Sequence, residues 1–129
     1  MDILGTGNDI AEVARVRAAL EHPRTAARFR ARVFTPAEQE YCDARGPGRY
    51  ESYAARFAAK EAAMKALGCG WGRDLGWLDI EVVREEGGRP ALVLAGKAAA
   101  YAASIGVTRL YVALAHTADL ALAHVIAAR

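Results

Sequence analysis

Arg56-Phe-Ala-Ala-Lys-Glu-Ala-Ala-Met-Lys-Ala-Leu-Gly68 decides how this chain folds. Ala, Lys, Glu, Met and Leu are strong helix formers and glycine is favoured just past a helix end, so the stretch predicts a helix that stops at Gly68. On that helix Phe57, Glu61 and Lys65 share one face, and Arg56, Lys60 and Met64 line the adjacent one. By spacing alone Glu61 and Lys65 describe a surface ion pair that adds roughly a few tenths of a kcal/mol. The glycines at 68, 70 and 72 follow this helix instead of opening one, and no Gly-Lys-Ser/Thr is present, which excludes a Walker loop. Such a segment is a helix exit whose backbone can also approach a pyrophosphate.

A second carboxylate stands in Ile3-Leu-Gly-Thr-Gly-Asn-Asp-Ile-Ala-Glu-Val-Ala-Arg-Val16. An apolar start runs into two glycines, then Asn8 and Asp9, and Ile10, Val13, Val16 and Leu20 recur at three- and four-residue steps. Asp9 is therefore expected where a strand gives way to a helix. Gly5-x-Gly7 is no dinucleotide fingerprint, because Ile10 stands where the third glycine belongs.

Outward from these segments, Arg24 to Val33 reads as a basic helix, and Thr35-Pro36-Ala37-Glu38 is a capping box with proline at the first helical position. Gly46-Pro-Gly48 is a turn. Leu78, Ile80 and Val82 alternate with Asp79, Glu81 and Val83, Glu86-Gly-Gly88 makes a turn, and Ala91 to Leu94 completes a hairpin. Gly96 to Ile105 is alanine-rich and helical with Gly106 as its stop. Arg109 to Ala115 and Leu120 to Ala127 read as strands joined by His116-Thr-Ala-Asp119. The style changes from helical to stranded at about Gly72, without repeat or linker. The expectation is one domain over residues 1–129, of class α+β, with helices packed on an antiparallel β-sheet.

At 129 residues and 53% hydrophobic the chain supports a modest core. No apolar run is long enough to cross a membrane, and the N-terminus lacks a basic leader followed by a hydrophobic stretch, which points to the cytoplasm. Cys42 and Cys69 have neither metal-ligand spacing nor a disulfide framework and read as free thiols. His116 and His124 fall in different strands with no cysteine or carboxylate at ligand spacing, so no zinc site is expected. His124 reads as a packing residue, and His22 before Pro23 as a solvated helix end. Formal net charge is only +2, yet Arg15, Arg17, Arg24, Arg28, Arg30 and Arg32 crowd the first quarter. Such a stripe is either a solvated face or a polyanion-binding one. A small nucleic-acid-binding module would use these arginines, but it leaves Asp9 and Glu61 unexplained and finds only Phe29 and Phe34 interleaved with them. A purely structural assembly protein gives no reason for the glycine-rich loop.

Together the two leading segments resemble the holo-acyl carrier protein synthases, small bacterial 4′-phosphopantetheinyl transferases. The family's marks are a Gly-x-Gly-x-Asp-Ile-x-Glu start and a Phe-x-x-Lys-Glu-x-x-x-Lys-Ala helix. Arg32-Val-Phe-Thr-Pro-Ala-Glu-Gln-Glu-Tyr41, Gly88-Arg-Pro-Ala91 and Ala115-His-Thr117 fit as well, so the resemblance spans nearly the whole chain. Ala113-Leu-Ala115 departs from the serine-rich run usual before the histidine.

The resemblance implies transfer of the 4′-phosphopantetheine arm of coenzyme A to a serine of an apo-acyl carrier protein, with release of 3′,5′-ADP. It implies a magnesium ion held by Asp9 and Glu61, a chemistry that suits a hard cation and phosphate oxygens. Lys65 then neutralises phosphate charge. Glu61 is the first choice for the group that takes the serine proton, an assignment the sequence leaves open. Glu12 is expected to orient Asp9. The nucleotide falls to Arg56 and His116 at the 3′-phosphate and Pro90 at the adenine, with Thr117 and the Gly68 backbone nearby. Arg15 and Arg28 match basic positions for docking an acidic carrier, and Arg24 does so more weakly. The small members are homotrimers with shared sites, here Asp9, Glu61 and Lys65 from one subunit and Arg56, Pro90 and His116 from the next. Whether the carrier belongs to fatty acid or polyketide synthesis is left open.

Overall fold

The computed structural model describes residues 1–70 and 75–129. Gly72, and with it the expected change of style, lies outside the described residues. In chain order the elements are strand β1 (Ile3–Glu12), helices α1 (Val13–Glu21), α2 (Ala26–Val33) and α3 (Pro36–Asp43), and a 3-10 turn at Gly46–Gly48. Helix α4 (Arg49–Leu67) follows, then a 3-10 turn at Trp77–Asp79 and the hairpin of β2 (Ile80–Arg84) and β3 (Pro90–Leu94). Helix α5 (Gly96–Ser104) and strands β4 (Arg109–His116) and β5 (Leu120–Ala128) complete the chain. Three strands form an antiparallel sheet in the order β1-β5-β4, and β2 and β3 form a second antiparallel pair. No helix among the described residues is long and apolar enough to cross a membrane.

Helix α4 ends as expected, with Gly68 in the left-handed conformation at φ 73°. Ala54, Ala55, Ala58, Ala59, Ala62, Ala63 and Ala66 are buried along it, so its sheet-facing surface is almost bare backbone. The sheet is equally bare where it meets α4. A Cβ at Gly5 would lie 2.0 Å from the Ala66 carbonyl oxygen, and one at Gly7 would lie 2.1 Å from that of Ala62. These two glycines therefore serve a backbone-to-backbone approach of strand and helix. Ala121, Ala123, Val125 and Ala127 of β5 continue the same thin layer.

One expectation is corrected. Asp9 lies inside β1, opposite Ala123, and pairing runs on to Glu12 opposite Leu120 before α1 begins at Val13. Ile10 accordingly belongs to the strand and is 64% exposed, while Val13, Val16 and Leu20 form the buried stripe of α1. The apolar step from Ile10 to Val13 imitates helical spacing, but the ladder with β5 wins.

Helix α3 starts with the expected capping box: Thr35 Oγ1 accepts from the Glu38 amide, and Glu38 Oε1 accepts from the Thr35 amide at 2.8 Å. The same carboxylate meets Lys60 of α4 in a fully buried ion pair of 2.7 Å. Lys60 Nζ also donates to the Val33 carbonyl at 2.7 Å and the Trp77 carbonyl at 3.1 Å, so all three of its protons are used. Glu38 Oε2 accepts from the Val82 amide at 2.8 Å. Burial lowers the Lys60 pKa, opposed by Glu38. The pair thus ties α4 to α2, α3, β2 and the Trp77 turn. Cys42, also fully buried, is a free thiol that burial pushes up to a pKa of about 12; Cys69 is half-buried, its thiol 4.0 Å from the Met64 carbonyl oxygen.

Removing one partner strands a buried charge, which costs about 3–5 kcal/mol. Lys60→Met is expected to lose that much in urea unfolding, and Lys60→Met with Glu38→Gln to be more stable than Lys60→Met alone. Additive losses in the double variant would show that the two residues do not act as a pair.

Candidate active site

Alternation along β1 puts Gly5, Gly7, Asp9 and Ala11 on the face toward α4. Because Gly7 sits against Ala62 and Lys65, the next inward residue arrives beside the Lys65 ammonium. Lys65 Nζ lies 3.2 Å from Asp9 Oδ1 and donates to the Asn8 carbonyl at 3.0 Å. The lysine side chain is 48% exposed, so the pair contributes about 1 kcal/mol at most to stability. A half-buried carboxylate held this way is better explained by chemistry than by folding.

Asp9 and Glu61 line one hollow of about 430 Å³, with Glu12, Arg15, Phe29 and Phe57 also in its wall. Asp9 of β1 and Glu61 of α4 reach it from adjacent elements, with Glu12 at the end of β1, and Phe57 and Glu61 share the helix face that the sequence assigned to them. Among the described residues no three His, Cys, Asp or Glu side chains cluster as a metal cage. A donor set of two carboxylates fits a hard cation that takes its remaining oxygens from phosphate and water.

A second hollow, of about 180 Å³, is lined by Arg45, Ser52, Arg56, Arg84, Pro90 and His116 among others. It brings together three residues expected at a nucleotide, Arg56, Pro90 and His116. Arg56 is only 2% exposed. Its Nη1 donates to the Ser52 carbonyl at 3.5 Å, and its Nε has no hydrogen-bond partner among the described residues. Its guanidinium lies 4.1 Å from the centre of the Tyr41 ring, a favourable cation–π placement. A buried guanidinium with an unused donor, beside two more arginines, favours an anion.

Sequence reasoning missed Arg45 and Arg84 as parts of this hollow, and Tyr41 as the ring against which its arginines pack. A signal for Arg84 exists, since the hairpin register sets it directly opposite Pro90. Lys60 was placed on a helix face with Arg56, and both prove to be buried. Gly68 and Thr117 line neither hollow. The Thr117 hydroxyl is committed to its own turn, accepting from the amides of Asp119 at 3.2 Å and Leu120 at 3.1 Å. His22 closes the turn between α1 and α2, its Nδ1 accepting from the Arg24 and Thr25 amides. His124 is half-buried and its Nδ1 meets Asn8 Oδ1.

Arg15 is exposed on the wall of the carboxylate hollow. Arg28 is exposed on a neighbouring groove, where Phe57 stacks on Trp77 with ring centres 5.1 Å apart. Ala19, Phe29 and Phe57 line both depressions, which makes them one continuous surface with a basic rim.

Residues 5–124 match the 4′-phosphopantetheinyl transferase superfamily. The chain belongs to that superfamily. A holo-[acyl-carrier-protein] synthase of Solibacter usitatus is 47% identical over 124 residues, covering 96% of this chain and 97% of the relative. One from Anaeromyxobacter dehalogenans is 54% identical over 125 residues, covering 96% and 94%. Among solved structures, the Helicobacter pylori holo-[acyl-carrier-protein] synthase in complex with coenzyme A superimposes with a TM-score of 0.82 at 28% identity, over 95% of this chain and 99% of that one. The Bacillus anthracis holo-(acyl-carrier-protein) synthase, in complex with CoA (3′,5′-ADP), gives 0.80 at 30% identity, over 99% and 98%. The similarity therefore extends over the whole architecture, with the α+β fold expected from the sequence.

Proposed function

We propose that this protein transfers the 4′-phosphopantetheine arm of coenzyme A to a serine hydroxyl of an apo-acyl carrier protein, releasing 3′,5′-ADP. The observation that carries this reading is the pairing of a carboxylate hollow with a separate arginine and histidine hollow in a chain whose full-length relatives are holo-[acyl-carrier-protein] synthases. A bare nucleic-acid-binding module has no use for Asp9 and Glu61 together. We place the activity in the cytoplasm.

The serine oxygen forms a bond to a pyrophosphate phosphorus while the bond from that phosphorus to the nucleotide phosphate breaks. Asp9 and Glu61 are the residues that would hold a magnesium ion, which when bound supplies positive charge to the phosphate oxygens. Glu61 takes the serine proton. Lys65, already at the rim beside Asp9, offers its ammonium to the charge that accumulates on the phosphates. Arg56 and His116 hold the 3′-phosphate, Pro90 flanks the adenine, and the Gly68 backbone and Thr117 lie at the edge. Arg15 and Arg28 steer the acidic carrier onto the basic rim.

The site is shared between copies in a homotrimer. Support comes from the sheet face turned away from α4, where Ile10, Leu120, Leu122 and Tyr111 are 64%, 45%, 42% and 44% exposed, and Ile10 stands opposite Leu122 in register. Such an apolar face calls for a cover. The two hollows share no lining residue, so copies brought together on this face would unite one hollow of each kind.

Asp9→Asn and Glu61→Gln are each expected to lower transfer at least about 100-fold with unchanged thermal unfolding, read as the mass gain of an apo carrier incubated with coenzyme A and magnesium. Near-normal turnover by either variant at limiting magnesium removes that residue from the metal site. Co-refolding inactive Glu61→Gln with inactive His116→Ala is expected to restore part of the activity, because some interfaces carry both intact halves. A monomer by light scattering at micromolar concentration, with no recovery on mixing, contradicts the shared site.

A further inference from the structure

Helices α3 and α4 are joined by two adjacent rungs. Glu38 and Tyr41 lie three residues apart on α3, and Lys60 and Arg56 lie four apart on α4, so both pairs stack one turn from the next. The first rung is the buried Lys60–Glu38 ion pair. The second is Arg56 over the Tyr41 ring. Tyr41 does more than complete this rung, because Arg84 lies 5.3 Å and Arg45 5.6 Å from the centre of the same ring. These three arginines come from three places: α4, the end of β2 and the segment after α3.

Three guanidiniums converging on a small hollow repel one another, and among the described residues no carboxylate lines that hollow to offset them. The electron-rich faces of an aromatic ring attract cations without neutralising them, so the cluster keeps its charge for an incoming anion. Arg84 is steadied further by donating Nη1 to the Gly88 carbonyl at 2.6 Å. Arg56, by contrast, keeps its buried Nε without a partner among the described residues.

We propose that Tyr41 is a positioning residue whose ring gathers Arg45, Arg56 and Arg84 into one dianion-binding cluster, and that this cluster makes the enzyme select coenzyme A over its analogue lacking the 3′-phosphate. The proposal rests on the transfer activity inferred above. It assigns Tyr41 no contact with substrate. The ring acts through the arginines, and the phenolic hydroxyl is dispensable.

The test compares steady-state transfer from coenzyme A and from 3′-dephospho-coenzyme A, for the wild type, Tyr41→Phe and Tyr41→Leu. The wild type is expected to show a lower KM for coenzyme A than for the dephospho compound. Tyr41→Leu should raise the KM for coenzyme A about 5- to 30-fold, the equivalent of one lost cation–π placement, and move kcat and the dephospho KM by less than about twofold. Tyr41→Phe should keep the wild-type preference. Equal KM values for both nucleotides in the wild type, equal increases for both in Tyr41→Leu, or Tyr41→Phe behaving like Tyr41→Leu would each overturn the proposal. Should Tyr41→Leu fail to fold, Arg45→Gln and Arg84→Gln, both at exposed positions, decide the matter: each must narrow the preference between the two nucleotides, and an unchanged preference in both overturns it. A wild type that modifies the carrier from neither nucleotide would instead refute the transfer activity itself.

Discussion

Everything at the carboxylate hollow depends on how closely β1 approaches α4. Two glycines on the strand face carbonyls of the helix at distances where no Cβ fits, and the helix answers with alanines. The approach fixes the strand's height over the helix to within the size of a methyl group. Since side chains alternate along β1, it also fixes which strand residue meets which helical turn. Asp9 comes to Lys65 and shares a hollow with Glu61 because Gly5 and Gly7 are bare.

The other side of α4 is held by a different kind of force. There Lys60 and Arg56 point into protein, one answered by a carboxylate and two backbone carbonyls, the other by an aromatic ring. A buried ion pair adds little net stability over an apolar pair, but a misplaced partner is costly, so it specifies register. Fixing Glu38 under Lys60 fixes Tyr41 under Arg56 one turn away, and with it the second hollow. Stability and function thus divide along the helix: alanines and Lys60 set the frame, while Glu61 lines the first hollow with Lys65 beside Asp9, and the buried Arg56 lines the second.

Much of this was readable in the residues. Helix α4 with its Gly68 stop, the Thr35–Glu38 capping box, the β2–β3 hairpin and the last two strands are local signals, carried by propensity, caps and turns within a few positions. The boundary after Asp9 was misread because the three-residue step from Ile10 to Val13 imitates helical spacing, and only pairing with the partner strand about 110 residues away shows that the strand runs on to Glu12. The roles of Gly5 and Gly7, Lys60, Tyr41, Arg45 and Arg84 are likewise set by elements distant in sequence. A lysine amid alanines reads as solubilising until a carboxylate from another helix is found beneath it. Asp9 and Glu61 stood out in the two leading segments, the family resemblance added Arg56, Pro90 and His116 as a second group, and the fold brings each group to its own hollow.

The central claim is that the two ends of one coenzyme A molecule are held by two different copies of this chain. A crystal structure of the protein with coenzyme A and magnesium tests it most directly. The account requires the pyrophosphate against Asp9 and Glu61 of one copy and the 3′-phosphate among Arg45, Arg56, Arg84 and His116 of its neighbour. A nucleotide with both ends bound to a single copy, or with its 3′-phosphate away from the arginine cluster, would contradict it.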